Sequence, residues 1–526
     1  MRFLSALTLL TLCSLPTEAG TWYVSNTTAN GYGTGSDANE GTTTASPFLT
    51  IDYAVRRAAA GDEISVNPSG TPYEESSGNV GCLVLDKKVI LQTDPSLRDV
   101  GKAGIRPVAG AVAPMQIAAD GILLQDLVID ANNSSTLIQG LSLQSDVISI
   151  ALRRCDFVNF PASAGFCMST SITNGQILLE RCSAARENGV SSAVRFLSPP
   201  DTAPNVSITL LGCTISGIEG VFLQSGLAPE PFGLTCDQAQ DGTRNTFSNL
   251  SYCITWGACA PGTAITVKNS DLYHIDSEPF RGLGSPAPFI PALHLESLAA
   301  PDAGYNLVST EVGETIGSLW ISDLTHSGSH YVVHNAGTIS KTSITNCAFS
   351  GSGPVIYSAN AQMQDLSIAG CRFLSNSTVI NMPQGGQRLT VESCQFTNCT
   401  STSIALSGIL PNILVRSNTC IGAYGLLAVD GALASNIVVD ANFVSLTQAA
   451  TDPIAIIGSG AGEVMNNRIW SDAAAAHGIM VGMDGYYRFD ANSGATTSNN
   501  LGDTASHAWI AQRWNMVDAS AYYDRG

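Results

Sequence analysis

The chain has 526 residues, with 24 Lys+Arg against 43 Asp+Glu and a formal net charge of −19. Only 13% of residues are charged and 44% are hydrophobic, which excludes an intrinsically disordered chain. The acidic surplus excludes a nucleic-acid binder and a protein that docks on anionic lipid, since both need clustered Lys and Arg.

Residues 1–19 read as a secretory signal peptide: Arg2 is the positive start, Phe3 to Leu12 an apolar core, and Thr17-Glu18-Ala19 the cleavage site. The apolar core is too short to span a bilayer, and no other segment approaches the length of a membrane span. The expected location is secreted, periplasmic or cell-surface. Cys13 leaves with the leader, so thirteen of the 14 cysteines enter an oxidising setting. An odd number leaves at least one unpaired within the chain.

Residues 20–80 read as an N-terminal cap. Thr50 is a helix N-cap and Asp52 suits the positive helix end. Ile51, Ala54, Val55 and Ala58 recur on one helical face, and Gly61 is the expected stop. A strand follows at Glu63 to Val66. Upstream, Asp37 and Asn39 place oxygen side chains at alternate positions before the Gly41 turn, as in a short calcium loop, but without the bidentate Glu of an EF-hand. Ca²⁺ is the one cofactor suggested; the alternative is a set of turn residues.

Residues 81–495 carry a repeat. The segments LWISDL, ITNCAF, IAGCRF, VESCQF, VRSNTC, VDANFV and VMNNRI share one pattern, keyed on Ser322, Cys347, Cys371, Cys394, Asn418, Asn442 and Asn467 at spacings of 23 to 25 residues. An apolar residue lies three before each key and another two after. Looser copies are keyed on Gln125, Cys155, Cys182, Cys213, Asn245 and Ser270, one is implied near His294, and a last is keyed on Asn492. This period is too short for helix-pair repeats and fits an all-β, right-handed parallel β-helix of about 15 rungs, each 23–31 residues long. The key residue then stacks at one turn of every rung. Asn there can satisfy its own backbone and its neighbour's, and Cys is a small apolar substitute. Cys236, Cys253 and Cys259 fall outside the pattern, in what reads as an irregular insertion that a disulfide could staple. Residues 496–526 read as a less regular tail or far-end cap.

The stretch from Tyr23 to Ser76 carries YVS, GSDANEG, SPFLTI, the helix, GDEISV and the GTPYEE tail. It resembles the N-terminal segment of secreted β-helix proteins of the pectate-lyase-like superfamily. The resemblance implies a polysaccharide or cell-surface glycan partner. If the protein is an enzyme, it implies a polysaccharide lyase or glycoside hydrolase. Such enzymes line the outward face of one sheet with a base or with paired carboxylates.

Ile356, Ile380, Ile404 and Ile479 are expected to point inward, with Tyr357, Asn381, Ala405 and Met480 outward and Val429 and Ala455 filling the intervening outward positions. That row holds no acid or base, and no NTD, Asp-Asp or Gly-His-Gly motif of the polygalacturonase type is in place. The middle rungs are richer. Residues 271–296 hold Asp271, His274, Asp276, Glu278, Arg281, His294 and Glu296, and the next rung holds Asp323, His326, His330 and His334. The candidate catalytic residues are His330 and His334, expected on one strand face around Val332, with Asp271 and His274; Arg195 is the next candidate. Two readings stand: an exported protein that binds or processes extracellular polysaccharide, and a non-catalytic, adhesin-like surface protein.

Overall fold

In the computed structural model, the described residues run from 19 to 513, with breaks at 78–80, 112, 133–138, 144–148, 161–165, 171–173, 185–194, 199–205, 218, 224–232, 283–287, 301–304, 352, 360–361, 423, 448–452, 458–459, 472–478, 483–485, 491 and 497–509. Residues 1–18 of the expected leader therefore lie outside them. The chain winds as a parallel β-helix with three sheets. One rung shows the plan. Asn412–Arg416 lies in the first sheet, Ser417 and Asn418 make a two-residue turn, and Thr419–Gly422 lies in the second. The strand Leu427–Asp440 starts in the third sheet and runs through the corner into the first sheet of the next rung. Every residue stacks on its counterpart one rung away: Val415 pairs with Val391 on one side and Val439 on the other. Alternation does the rest, since Ile413 and Val415 are buried while Arg416 faces solvent. Among the described residues the second sheet holds 17 strands, more than the expected 15 rungs.

The repeat's key residue follows a residue in the left-handed region, such as Ser417 with φ 54° or Asn466 with φ 54°. That conformation costs a non-glycine residue about 1–2 kcal/mol. The ladder beside it offsets the cost. Asn418 donates through Nδ2 to Asn442 Oδ1 (3.0 Å) and to Val391 O (2.9 Å), and its own N–H donates to the same Oδ1 (3.0 Å). Asn442 repeats this with Asn467, and Asn467 with Asn492. All ladder amides are thus paired in a water-free corner. Upstream, Cys347, Cys371 and Cys394 hold the same position, their thiols donating to backbone carbonyls such as Glu392 O (3.3 Å). Inside the adjacent strand, Phe349, Phe373 and Phe396 stack with ring centroids 5.3 and 4.9 Å apart.

Four expectations need correction. The key of the first regular rung is Leu324, not Ser322: Ser322 pairs with Thr345, while Asp323 takes the left-handed position before Leu324. The key expected at Gln125 is Leu127 for the same reason, with Asp126 left-handed. Val429 points inward, opposite Leu406, and Ala428 takes the outward place between Ala405 and Ala455. Cys236 and Cys253 are free, buried thiols within strands Gly233–Asp237 and Tyr252–Trp256, and Cys259 is a buried thiol that donates to Gly257 O, so among the described residues no disulfide staples that region.

The capping helix α1 spans Ile51–Arg57, with the Thr50 hydroxyl accepting from Tyr53 N (3.2 Å). It buries Ile51, Ala54 and Val55 against the first strands. It ends before Gly61 because Ala58 turns extended and Lys87 Nζ donates to the freed carbonyls of Val55, Arg56 and Ala58 at 3.0–3.2 Å. Thr21–Val24 already pairs with Glu63–Val66, so the cap and the solenoid share a sheet. At the other end, Ile510–Arg513 adds a strand beside Ile479–Gly482. Among the described residues no helix is long and apolar enough to cross a membrane.

Candidate functional site

The outward face of the third sheet carries one register row: Thr255, Arg281, Ser309, His334, Tyr357 and Asn381. Arg281 is its electrostatic centre. Its guanidinium meets Glu278 Oε2 at 3.1 Å and also bonds Glu311, which reaches it from the next rung's corner. Glu314 sits in that corner too, 7% exposed, its Oε2 accepting from Glu311 N at 2.8 Å. An added Cβ on Gly282 would lie 3.2 Å from the Glu314 carboxyl, so the small residue lets that carboxyl close on the rung below.

The two inner carboxyls differ in protonation. Burial pushes Glu278 up, but the Ser277 hydroxyl at 2.7 Å and Arg281 outweigh it and hold the group below its ordinary range. Burial raises Glu314 to about 7, with Glu278 adding to the rise and Arg281 opposing it. One group is therefore an ionised carboxylate at neutral pH and the other is poised to hold and release a proton, a pairing suited to acid–base work.

Aromatic rings continue the row. Tyr331 and Tyr357 stack at 5.1 Å, and His334 lies 5.3 Å from Tyr331 and 5.7 Å from Tyr357. Burial lowers the pKa of His334, Glu278 opposing, so its ring is a neutral member of the stack with Ser309 Oγ 3.5 Å from Nδ1. Together these rings offer a flat platform beside an acid pair.

The expected site residues disperse over the rod. His334 is the one that falls in this row. His330 is not on its strand: it lies in the bend before Val333–Asn335, exposed and stacked on Tyr305 at 5.8 Å. Asp271 faces outward on the second sheet and is bound by Arg244 Nε at 2.8 Å. His274 lies near the end of the same strand, exposed, in the left-handed region with φ 48°. Arg195 opens the strand Arg195–Ser198 of the third sheet, but its side chain is outside the described residues. Of the other histidines, His294 sits on the first sheet beside Trp320 at 4.0 Å. His326 is inside the rod, opposite Phe349. Closeness requires a separation of one local rung, and the pairs that meet, His294–Trp320 and Ser309–His334, are 26 and 25 residues apart by register. The sequence names Glu278 and Arg281 without a role and gives no signal for Glu311 and Glu314: the residue one rung from Arg281 is Ser309, and both glutamates lie beyond it in the corner.

Asp37 and Asn39 do not fit a calcium ion. The Asp37 carboxylate accepts from Leu49 N, Thr50 N and Thr50 Oγ1 at 2.9–3.0 Å, and Asn39 Nδ2 donates to Thr34 O (3.0 Å) and Pro47 O (2.7 Å). Donors surround the carboxylate where a cation would sit; Asp37 fastens the loop to the N-cap of α1, and Asn39 ties the loop to itself. Among the described residues no group of three or more His, Cys, Asp or Glu side chains is placed to hold a metal.

No family model matches the chain. No curated protein matches it either. Solved structures of similar chain course include the GH136 lacto-N-biosidase from Eubacterium ramulus. Its selenomethionine derivative is 10% identical, with 91% of this chain and 68% of that one covered and a TM-score of 0.18. The native protein gives 9% identity, the same coverage and 0.15. Scores this low carry neither residue roles nor activity across.

Proposed function

We infer that the protein binds a glycan chain along the third sheet and cleaves it by acid-assisted hydrolysis. The observation that carries this reading is the pair Glu278 and Glu314, set around one guanidinium with opposite proton affinities and lying next to the Tyr331–His334–Tyr357 platform. In this scheme a sugar ring stacks on the aromatic rings. Glu314 gives its proton to the glycosidic oxygen as the C–O bond breaks. The ionised Glu278 carboxylate supports the developing positive charge and either takes a proton from the attacking water or bonds the anomeric carbon itself; in the second case the deprotonated Glu314 takes the proton from the water that then breaks that bond. The leader at 1–19 supports export and thus an extracellular or cell-surface glycan.

A pectate-lyase-like kinship fits the rod, but lyase chemistry fits the site less well. Elimination needs a cation that is free to neutralise a uronate carboxylate, and Arg281 is already matched by Glu278 and Glu311. A reducing-end assay over a polysaccharide panel, run with wild type and Glu314→Gln, tests the reading. Reducing ends from the wild type alone are expected. Absorbance growth at 235 nm would return the lyase reading, and binding without any product would leave the adhesin-like one.

A further inference from the structure

The corner joining the third sheet to the first holds a cleft of about 390 Å³, two to four rungs from Glu314. That offset is about 10–20 Å along the rod. Four amides line the cleft: Gln364, Gln384, Gln387 and Asn412. Met363, Pro411 and Ile409 supply its apolar wall, Ile409 being 59% exposed. Its floor is the backbone of Gly385 and Gly386. Gly385 has φ +80°, and an added Cβ there would lie 2.1 Å from Ile409 O; on Gly386 it would lie 2.4 Å from Met363 O. Neither position tolerates a side chain, because the backbone of a neighbouring rung lies where the Cβ would stand.

We propose that this cleft is a distal subsite for an uncharged sugar ring of the same glycan, and that the protein therefore prefers a neutral polymer to a polyuronate. The inference rests on the hydrolase reading and extends it to substrate class. No charged residue lines the cleft. Arg388, next to Gln387, stands between Asp365 and Asn412 in register and is not among the lining residues. Primary amides both donate and accept, which suits vicinal hydroxyls, while an uncompensated uronate would be buried there without a cation. Among the described residues the amides of Gln364, Gln384 and Gln387 have no hydrogen-bond partner within the chain, and Asn412 Nδ2 has a long one, 3.4 Å from Gln387 O. Ile409 and Pro411 present apolar surface to the C–H face of a ring.

The test is calorimetric titration of the full chain with five-unit oligosaccharides: cello-, xylo-, manno- and chito-oligomers against oligogalacturonate. At least one neutral oligomer is expected to bind, with little dependence on salt. Gln387→Ala/Asn412→Ala, both exposed positions, should weaken it about tenfold. Glu314→Gln should leave that affinity unchanged while removing turnover. Preferential, salt-sensitive binding of oligogalacturonate would overturn the proposal. So would unchanged affinity in the double variant, or no binding of any neutral oligomer at millimolar concentration. Amide-dependent binding without turnover would sink the hydrolase reading and leave the subsite standing. Turnover indifferent to both amides would do the reverse.

Discussion

The rungs from Cys347 to Asn467 and those from Asp271 to His334 are made of the same three strands, yet they differ in what fills the positions between. In the regular rungs the corner residue is Cys or Asn, the inward stack runs from Phe349, Phe373 and Phe396 to Cys420, Val444 and Ile469, and the corner side chains satisfy one another. In the middle rungs a Leu replaces the corner Cys at Leu324, a histidine replaces the Phe at His326, and the corner at residues 311–314 holds two carboxyls. The second-sheet corner of the regular rungs pairs its polar groups with one another, while the corner from the third sheet to the first keeps polar side chains available, as carboxyls in the middle rungs and as amides in the regular ones. Stability and chemistry are thus assigned to different corners of one repeat.

Glu314→Gln should break the middle region alone. Turnover is expected to fall about 10²- to 10⁴-fold, with the unfolding midpoint within error of wild type. A parallel loss of both would mean Glu314 serves the fold instead. Asn442→Ala should break the regular region alone. It removes the acceptor of Asn418 N and one of the two acceptors of Asn418 Nδ2, and takes one donor each from Asn467 Oδ1 and Val415 O. The expected loss is about 3–5 kcal/mol by urea denaturation. Asn442→Cys should lose less, since a thiol fills that corner in nearby rungs.

His326→Phe should make a middle rung resemble a regular one. His326 Nε2 is buried without a partner, and Nδ1 lies 3.2 Å from Ala300 O. Replacing it removes an unpaired polar atom and extends the ring stack to Phe349, a gain of about 1 kcal/mol. Burial holds this imidazole below its ordinary range, so the folded chain takes up the proton less readily than the unfolded chain. Its contribution is complete above about pH 6.5 and declines as pH falls below that, and the Phe variant should lose this part of the acid sensitivity in unfolding at pH 5 and 7.5. The smallest effect is expected for Tyr357→Ala, about fivefold weaker glycan binding, or ~1 kcal/mol by titration, with stability little changed.

The regular region was legible because its signal is repeated burial. Cys371, Cys394, Asn418 and Asn442 each recur one rung from the next, and a corner residue in a stacked turn has few acceptable identities. The register slipped at Ser322 because Leu324 is apolar where the pattern offered Cys or Asn, and the nearby Ser matched by chance. That two-residue slip hid His326 inside the rod. The site was less legible for a different reason. Glu311 and Glu314 lie in a corner whose length varies from rung to rung, so no fixed spacing ties them to Arg281. Histidine density along the chain was a poor guide, because position within the rung decides the sheet: His294, His326 and His334 face three different ways.

The thirteen free thiols of the described chain are all buried. Burial raises Cys167 and Cys420 to about 12, and a thiol reacts as its thiolate. The finished rod is therefore its own protection against oxidation, and an unfinished one has none. On the export route expected from residues 1–19, the chain would meet an oxidising medium while its rungs are still open, and neighbouring corner cysteines such as Cys371 and Cys394 would be the partners most easily joined wrongly. Winding must outpace thiol exchange, which favours assembly that starts at the α1 end and advances one rung at a time. A maleimide pulse during refolding would read that order directly, with Cys82 shielded before Cys420.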